Sequence, residues 1–447
     1  MITAILFVSF FVMLILGLPI AICLGMSSVL TILYATTFVQ KFSMLNLSII
    51  ATNTYTGIAK FLLLAIPFFV LSGNIMAKAG ISKRLVKFID DCVGHRRGGM
   101  AIVCVIVACF FGAISGSGPA TVAALGAVLI PAMIESGFAP AFAEALMATS
   151  SSIAIVIPPS IAFVVYASIA NCNVGEMFMA GIIPGIMMGV ALAIVVILEA
   201  RKKGIQPAHE KRSWKERWIS FKDAFWGLLM PVIILGGIYG GIFTPTEAAA
   251  VSVVYGLIVG LFIYREVTLR DLLEIFIDSC KTTGGIMLII ATASLFSYCC
   301  TLFGISQAAQ ALLSSVSGNQ FMFLIIVNII FLIAGCFIDA NSAMYIFIPI
   351  MLPVATALGY NPIAFGIVAT VNLAIGQVTP PVGVNLFVAI GLKIRDGAAS
   401  LKAGKDVYHR VTLPMISKAV LPMIVACLIV LLLVTYIPQI SLLLCKG

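Results

Sequence analysis

The sequence predicts an all-α polytopic membrane protein built from two inverted-topology repeats, each with a re-entrant helical hairpin and a broken helix. Three observations support this fold class. Hydrophobic residues make up 62% of the 447 residues and charged residues 10%, whereas soluble proteins average roughly half apolar and a quarter charged residues. Long apolar stretches recur from end to end, and the chain resembles itself at an offset of 222–224 residues. Lipid rather than water is therefore the expected solvent for most of the chain.

The apolar stretches are long enough to cross a bilayer, which takes about 20 helical residues. They are 3–37, 61–77, 99–134, 140–170, 177–199, 225–243, 247–264, 284–303, 320–358, 362–392 and 413–437. Several exceed one crossing and predict hairpins, tilted helices or broken helices. The first lacks the basic flank of a cleavable signal and runs past a signal's usual length. We therefore interpret it as a retained helical pair broken near Gly17, Leu18 and Pro19.

Basic residues are concentrated between the apolar stretches. Segments 78–97, 200–226, 264–283 and 393–418 hold 23 of the 26 Lys and Arg residues, and the net charge is +9. A nucleic-acid groove would need basic residues interleaved with aromatic ones on a soluble surface, so a nucleic-acid partner is excluded. If the four clusters are cytoplasmic, as the positive-inside rule requires, both chain termini lie outside.

Matching residues relate the two halves of the chain, for example Pro158–Pro159 and Pro380–Pro381. Segment 99–134 starts beside a cytoplasmic cluster, whereas its counterpart 320–358 starts from the connection 304–319, which the charge pattern assigns outside. The two halves are therefore predicted to be inverted. Inverted repeats place substrate and coupling ions near the bilayer midplane, at sites made by discontinuous helices.

Polar sequence rich in Gly and Pro interrupts the apolar spans at four places. These are 112–121, 338–342, 148–152 with 157–160, and 372–381. Irregular backbone survives in lipid only where it is buried in protein or lines a wet cavity. Freed carbonyls with Ser, Thr and Asn oxygens suit sodium, and half-helix N-termini suit an anionic group. The alternative is structural, because Gly and Ser also allow close helix packing and Pro also kinks helices.

Three acidic residues lie within or near the predicted membrane spans. Asp339 is the most deeply placed, and an intramembrane carboxylate is a functional candidate by default. We expect it to be an ion ligand or a cap at the tip of the second hairpin. Glu135 and Glu144 lie nearer a predicted membrane boundary, where capping at helix starts is expected.

A bound anion would find few basic side chains within the repeats. No Lys or Arg occurs between residues 98 and 200 or between 282 and 392. Backbone amides, hydroxyls, side-chain amides and bound cations are therefore expected to hold the anion, unless Lys393 or Arg395 reaches in from the boundary.

Enzyme chemistry is not supported by the sequence. Membrane-embedded hydrolases and transferases need a metal cluster, paired aspartates or a nucleophile with its base. His95, His209 and His409 all fall in the basic connections, and the cysteines form no CxxC motif. A GxxxxGK[ST] phosphate loop is also absent from the sequence. We predict no enzyme activity and no cofactor other than sodium as a coupling ion.

Two long motifs resemble the large transmembrane subunit of tripartite ATP-independent periplasmic (TRAP) transporters. Residues 112–131 read GAISGSGPATVAALGAVLIP and residues 359–388 read GYNPIAFGIVATVNLAIGQVTPPVGVNLFV. The resemblance implies a sodium-driven elevator-type carrier, with a transport domain and a scaffold, in the bacterial cytoplasmic membrane. It also implies a small transmembrane subunit, a periplasmic substrate-binding protein, surrounding lipid, and a small organic anion, such as a carboxylate or sulfonate, as cargo.

The same resemblance implies a set of binding residues. A first sodium site would involve Ser115, Gly116, Ser117, Thr149, Ser150, Ser151 and Ser152. A second would involve Asp339, Asn341, Asn372, Gly376 and Thr379. The wider candidate set adds Pro158, Pro159, Ser342, Gln377, Pro380 and Pro381. Gln377 departs from the apolar residue expected between Gly376 and the TPP element that starts at Thr379.

The predicted organisation has five parts, and the function has alternatives. The parts are N-terminal scaffold helices at 1–56, repeat 1 at 57–200, a cytoplasmic connection with scaffold helices at 201–278, repeat 2 at 279–437 and a tail at 438–447. A self-sufficient sodium symporter of the same superfamily is the first alternative, and a channel or structural membrane component is the second. Carboxylates, sialic acids, sulfonates and keto acids all remain possible cargoes.

Overall fold

The computed structural model describes residues 2–39, 42, 44–207, 209–308, 310–311, 319–392, 394 and 408–445. Within these ranges the chain contains helices and no β-strand, and ten helices are long and apolar enough to cross a membrane. The predicted fold class is confirmed as an all-α polytopic membrane protein. Lys393 and Arg395, considered above as anion contacts, lie outside the described residues.

Five helices precede the first predicted hairpin. They are α1 (Ile2–Ile15), α2 (Ile20–Phe38), α3 (Ser48–Ile58), α4 (Ala65–Lys78) and α5 (Ile81–Val93). Gly17 separates α1 from α2 with a φ of 80°, a left-handed conformation that glycine adopts without steric cost. The predicted helical pair broken near Gly17 is confirmed. A short 3-10 helix, Phe61–Leu64, leads into α4.

A helical hairpin and an interrupted helix follow. The helices are α6 (Gly99–Ser115), α7 (Gly118–Glu135), α8 (Pro140–Ser152) and α9 (Ile161–Ala170). The chain reverses at Gly116, whose φ is 60°. Helix α8 ends in a 3-10 turn, Ile153–Ile155, and the backbone is irregular until Ser160. These elements correspond to the hairpin predicted at 99–134 and the broken helix predicted at 140–170.

Long helices connect this segment to the second hairpin. They are α10 (Val174–Lys202), α11 (Trp214–Tyr239), α12 (Pro245–Ile258) and α13 (Leu269–Leu302). The starts of α11, α12 and α13 each carry a capping box, formed by Ser213 with Glu216, Thr244 with Glu247 and Thr268 with Asp271. Each box satisfies backbone donors that the first helical turn leaves free. The capping boxes therefore fix the starts of α11 and α13 at the basic connections and the start of α12 at the loop that follows α11.

The second hairpin and interrupted helix repeat the earlier pattern. The helices are α14 (Gln320–Phe337), α15 (Ala340–Ala357), α16 (Pro362–Gly376) and α17 (Val384–Gly391), followed by α18 (Leu413–Tyr436) and α19 (Gln439–Leu442). The interruption between α16 and α17 spans 377–383. Both interruptions contain a cis Pro–Pro peptide bond, at Pro158–Pro159 and Pro380–Pro381.

Equivalent glycines join each hairpin to its own interrupted helix. A Cβ added to Gly112 in α6 would lie 2.7 Å from the Cα of Ala154. A Cβ added to Gly376 in α16 would lie 2.5 Å from the Cα of Gly335 in α14. The two crossings occupy matching places in the two halves, since Gly335 corresponds to Gly112 and Gly376 to Ala154 at the offset read from the sequence. Small residues therefore allow close backbone contact at both crossings.

Ion pairs connect three of the four basic clusters. Lys78 Nζ lies 3.6 Å from Glu274, and Arg84 lies 2.6 Å from Glu266 and 3.1 Å from Asp223. His209 lies 3.2 Å from Asp90. These contacts place clusters 78–97, 200–226 and 264–283 on one face of the molecule, in agreement with the shared side that the charge pattern predicts.

Candidate functional site

The tip of the first hairpin is held by hydroxyl groups. Ser115 Oγ lies 2.7 Å from Thr121 Oγ1, and Thr121 Oγ1 donates to the Ser117 carbonyl at 2.8 Å. A Cβ on Gly116 would lie 3.2 Å from the Pro159 carbonyl oxygen. The structure therefore brings Ser115, Gly116 and Ser117 against the first interruption, at Pro158–Pro159.

Most hydroxyls predicted near the first interruption hydrogen-bond their own helix. Thr149, Ser151 and Ser152 donate to the carbonyls of Ala145, Met147 and Thr149, each at 2.8 Å. The Ser150 hydroxyl is buried and has no hydrogen-bond partner among the described residues. A bonded hydroxyl still has lone pairs that can face a cation, so this arrangement remains compatible with the predicted sodium ligands.

Asp339 caps the second helix of the second hairpin. Its carboxylate accepts from Asn341 N at 3.0 Å, from Ser342 N at 3.2 Å and from the Ser342 hydroxyl at 2.5 Å. A carboxylate at this position satisfies free amides and interacts favourably with the helix dipole. The Asn341 side-chain oxygen is buried without a described partner. Of the two roles expected for Asp339, the cap is the one that these contacts form.

The second interruption carries three buried side-chain amides. Asn372 Nδ2 donates to the Asn328 carbonyl at 3.0 Å and to Asn328 Oδ1 at 2.8 Å. The side-chain oxygens of Asn372, Gln377 and Asn385 are buried and have no hydrogen-bond partner in the described ranges. An unsatisfied buried acceptor costs about 1–3 kcal/mol. Several of them at one helix break favour a cation or a ligand donor.

Thr379 and Gly383 complete the backbone of this interruption. The Thr379 hydroxyl donates to the Ile375 carbonyl at 2.7 Å. Gly383 has a φ of 58°, and its N–H donates to the Cys336 carbonyl at 3.2 Å. The turn through Pro380–Pro381 is thus bonded to the end of α14, beside the tip of the second hairpin.

The first hairpin meets the second interruption. A Cβ on Gly118, the first residue of α7, would lie 2.7 Å from Gln377 Oε1 and 2.8 Å from Asn385 Nδ2. The N-terminus of α7 from the first half therefore faces amide side chains from the second half. We call Gly118, Gln377 and Asn385 the central cluster. The sequence alone did not predict Gly118 and Asn385 individually as site residues, although both lie inside the two motifs that resemble TRAP transporters. Asn328 was also not predicted, because it lies in an apolar helix.

A family model described as the tripartite ATP-independent periplasmic transporter, DctM component, matches residues 7–440. The chain belongs to this family. It is similar to the C4-dicarboxylate TRAP transporter large permease protein DctM of Rhodobacter capsulatus, with 40% identity over 95% of this chain and 94% of that protein.

Two further similarities have different weight. The Isethionate TRAP transporter permease protein DctMQ of Oleidesulfovibrio alaskensis is 40% identical over 98% of this chain and 65% of that protein. The solved structure of MtrF from Neisseria gonorrhoeae matches with a TM-score of 0.64 and 15% identity, over 94% of this chain and 95% of that chain. At this identity the structural match shows a shared fold alone. Sequence and fold together make this TRAP permease chain a multi-pass membrane transporter.

Two acidic residues are placed differently from expectation. Glu144 lies inside α8, is 2% exposed, and its Oε2 has no described hydrogen-bond partner. Glu135 is the last residue of α7. The prediction that both residues cap helix starts is wrong, because Glu144 lies one turn inside α8 and Glu135 lies at the end of α7.

A large apolar groove of about 1060 Å³ lies between α10 and α18. Its walls are aliphatic, and its charged residues, Glu199, Lys202, Lys203 and Lys418, gather at one end. Wall residues such as Ile194 and Ile429 are more than half exposed, as expected for a surface that contacts acyl chains. The groove lies apart from the central cluster, and its apolar walls offer no ligands for sodium.

Proposed function

We propose that this chain is the large membrane subunit of a sodium-gradient-driven TRAP importer for a small organic anion. The central cluster is the observation that carries the proposal. It combines a helix N-terminus, which favours an anion, with buried amide oxygens that have no hydrogen-bond partner among the residues the structure describes. Both chemistries are needed where an anion and a coupling cation bind together near the middle of the membrane.

The proposed sodium ligands are the oxygens of the two hairpin tips and the two interruptions. Ser115, Ser117, Thr149 and Ser150 are assigned to the first site, and Asp339, Asn341, Asn372, Gly376 and Thr379 to the second. The side-chain oxygens of Ser150, Asn341 and Asn372 have no hydrogen-bond partner in the described part of the chain, which supports this assignment. Sodium prefers neutral or anionic oxygen ligands over nitrogen and sulfur, as other hard cations do.

Elevator-type alternating access between two inverted repeats is proposed for the transport cycle. The charge pattern starts the first hairpin from the cytoplasmic side and the second from the outer side. The predicted parts 57–200 and 279–437 would supply the repeats, and 1–56 with 201–278 would supply scaffold helices. The shared glycine crossings at Gly112 and Gly376 support equivalent roles for the two halves.

The proposed assembly and cargo rest on the family and on the named relatives. A tripartite transporter uses a small membrane subunit and a periplasmic binding protein, and we place the complex in the bacterial cytoplasmic membrane. Relatives named for C4-dicarboxylates and isethionate support a carboxylate or sulfonate cargo. The absence of Lys and Arg from 98–200 and 282–392 supports binding by amides, hydroxyls and sodium.

Reconstitution into liposomes tests the whole proposal. Uptake of a radiolabelled dicarboxylate or isethionate should require the loaded binding protein, the small subunit and an inward sodium gradient together. Removing the gradient should lower the initial rate at least about 20-fold. Uptake without a binding protein would indicate the self-sufficient symporter, and downhill flux that ignores sodium would indicate a channel. Either result would contradict the proposal.

A substitution at the first hairpin tip tests the first sodium site. Ser117→Ala should raise the sodium concentration for half-maximal uptake by about 3–10-fold, since one oxygen ligand is lost. Ser252→Ala in α12 is the matched control, because that buried hydroxyl donates to the Ala249 carbonyl of its own helix and lies outside both hairpins and both interruptions. Equal sodium dependence in the Ser117→Ala protein and the wild type would remove Ser117 from the site.

A further inference from the structure

Lys60 is an isolated basic residue. Among the described residues it is the one Lys or Arg outside the four basic clusters. It lies between α3 and the 3-10 helix Phe61–Leu64. A transporter of organic anions gains from a cation near its cargo, and Lys60 lies in neither of the interrupted helices.

Its position along α13 places Lys60 near the outer face. Helix α3 packs on α13, since a Cβ on Gly57 would lie 2.5 Å from Ser294 Cβ. Glu274, which pairs with Lys78 on the basic face, lies 20 residues before Ser294 on α13. At 1.5 Å per residue this is about 30 Å, the thickness of the hydrocarbon core. Lys60 is thus on the side opposite the basic clusters, against the usual distribution of basic residues.

Lys60 lines a cleft of about 300 Å³. One wall carries Lys60 with Ser294 and Ser297 of α13, and the other is formed by the end of α9 and by α15 from Tyr345 to Pro353. The volume is at the lower end of the range for small-ligand pockets. Tyr345 lies six residues beyond Asp339 on α15, about 9 Å along the axis. One wall of the cleft therefore runs toward the tip of the second hairpin.

The polar side chains that line the cleft are one ammonium and three hydroxyls. The Lys60 ammonium donates to the Ser168 carbonyl, and the hydroxyls of Ser168 and Tyr345 lie 3.1 Å apart. No carboxylate within the described residues pairs with Lys60. A lysine ammonium has three donors, so at least one remains for a ligand. Partial burial lowers the pKa of the Lys60 amine, and a nearby anion would offset this effect.

Lys60 also makes a contact that has a purely structural explanation. The Ser168 carbonyl lies in the last turn of α9, where a cation stabilises the helix end. This contact explains one donor of Lys60 but not the cleft beside it or the hydroxyls that face the cleft. Removing a cation that only stabilises a helix end would leave the cargo concentration for half-maximal uptake unchanged. The two roles therefore predict different cargo dependence of uptake for Lys60→Gln.

We propose that Lys60, with the hydroxyls of Ser297 and Tyr345, forms an outer binding site for the carboxylate or sulfonate group of the cargo. An anion that arrives from the outer side would exchange water for this ammonium before it reaches the central cluster. The identity of the anion as cargo rests on the proposed function, whereas the anion site itself does not.

Thiol labelling tests the anion site without any transport. Ser297→Cys in the reconstituted transporter is treated with a sulfonate-bearing or a trimethylammonium-bearing methanethiosulfonate, and labelling at residue 297 is followed by site-resolved mass spectrometry. Adding Lys60→Gln should lower the anionic-to-cationic rate ratio about 5–10-fold, as expected from removing one nearby charge. Lys60→Arg should keep the ratio, and Lys78→Gln, on the opposite face, is the matched control. An unchanged ratio in Lys60→Gln would overturn the proposal.

Uptake measurements separate this inference from the proposed function. Lys60→Gln should raise the cargo concentration for half-maximal uptake about 10-fold and leave its sodium dependence unchanged. Tyr345→Phe keeps the contact of Lys60 with Ser168 and should raise the cargo concentration for half-maximal uptake about 3-fold. If wild-type uptake proves independent of sodium while the labelling ratio still falls in Lys60→Gln, the proposed function fails and the anion site stands. Wild-type cargo dependence in both variants would overturn a role for the site in uptake.

Discussion

Gly118→Val should abolish uptake, to below about 2% of the wild-type rate, while the protein still inserts and purifies as a single species. The reason is the position of Gly118 at the start of α7. A Cβ there would lie 2.7 Å from Gln377 Oε1 and 2.8 Å from Asn385 Nδ2. Both atoms lie at the ends of side chains rather than in the main chain, so shifts of these side chains accommodate the added carbons. The two amides would then be displaced from the start of α7.

The matched control for this variant is Gly391→Val at the end of α17, where a Cβ would meet no atom within 4 Å. It should retain most of the uptake. Sodium-dependent binding of the cargo is measured in parallel, by the thermal shift of the purified transporter with the organic anion and sodium. Wild-type uptake by Gly118→Val would show that the central cluster is not on the transport path.

Asn372→Ala should lower the apparent sodium affinity of uptake by about 30-fold or more. The side chain holds Asn328 through two hydrogen bonds, at 2.8 and 3.0 Å, and presents a buried oxygen without a described partner. In the proposed function this oxygen is an ion ligand, and leaving one polar contact of a buried charged group unmade costs about 1–3 kcal/mol. Each 1.4 kcal/mol corresponds to a tenfold change in a binding constant.

Thr370→Ala is the control for Asn372→Ala. Thr370 is fully buried two residues earlier on α16, and its hydroxyl donates to the Gly366 carbonyl of the same helix at 2.7 Å. Its removal should leave the sodium dependence of uptake unchanged. Initial rates are measured over a range of sodium concentrations at constant ionic strength. Equal sodium curves for Asn372→Ala and the wild type would remove Asn372 from the ion site.

The hairpins and interruptions were predictable from the sequence because polar, glycine-rich and proline-rich residues are costly in lipid unless they form a site or a turn. The predicted hairpin 99–134 corresponds to helices that end at Glu135, and the hairpin 320–358 to helices that end at Ala357. The length of each apolar stretch and the positions of its Gly and Pro residues determine these boundaries. The boundaries can therefore be predicted without knowing which other segments the hairpins contact.

Contacts between distant segments could not be read in the same way. Glu144 was expected at a helix start, but the sequence does not show which face of α8 is turned inward. The meeting of Gly118 with Gln377 and Asn385 depends on how the two halves pack. Lys60 lies outside both quoted motifs, and its place beside the second hairpin follows from the packing of α3 on α13. Each of these features is a property of tertiary structure.

The glycine crossings limit how the permease can open. At Gly112 and Ala154, and again at Gly335 and Gly376, the main chains lie so close that the Ala154 methyl is the one side-chain group these four residues bring to the crossings. A hairpin that swung away alone would leave bare peptide surface on both partners. In the proposed transport cycle, access to the ions would therefore come from displacement of a hairpin together with the interrupted helix that it touches.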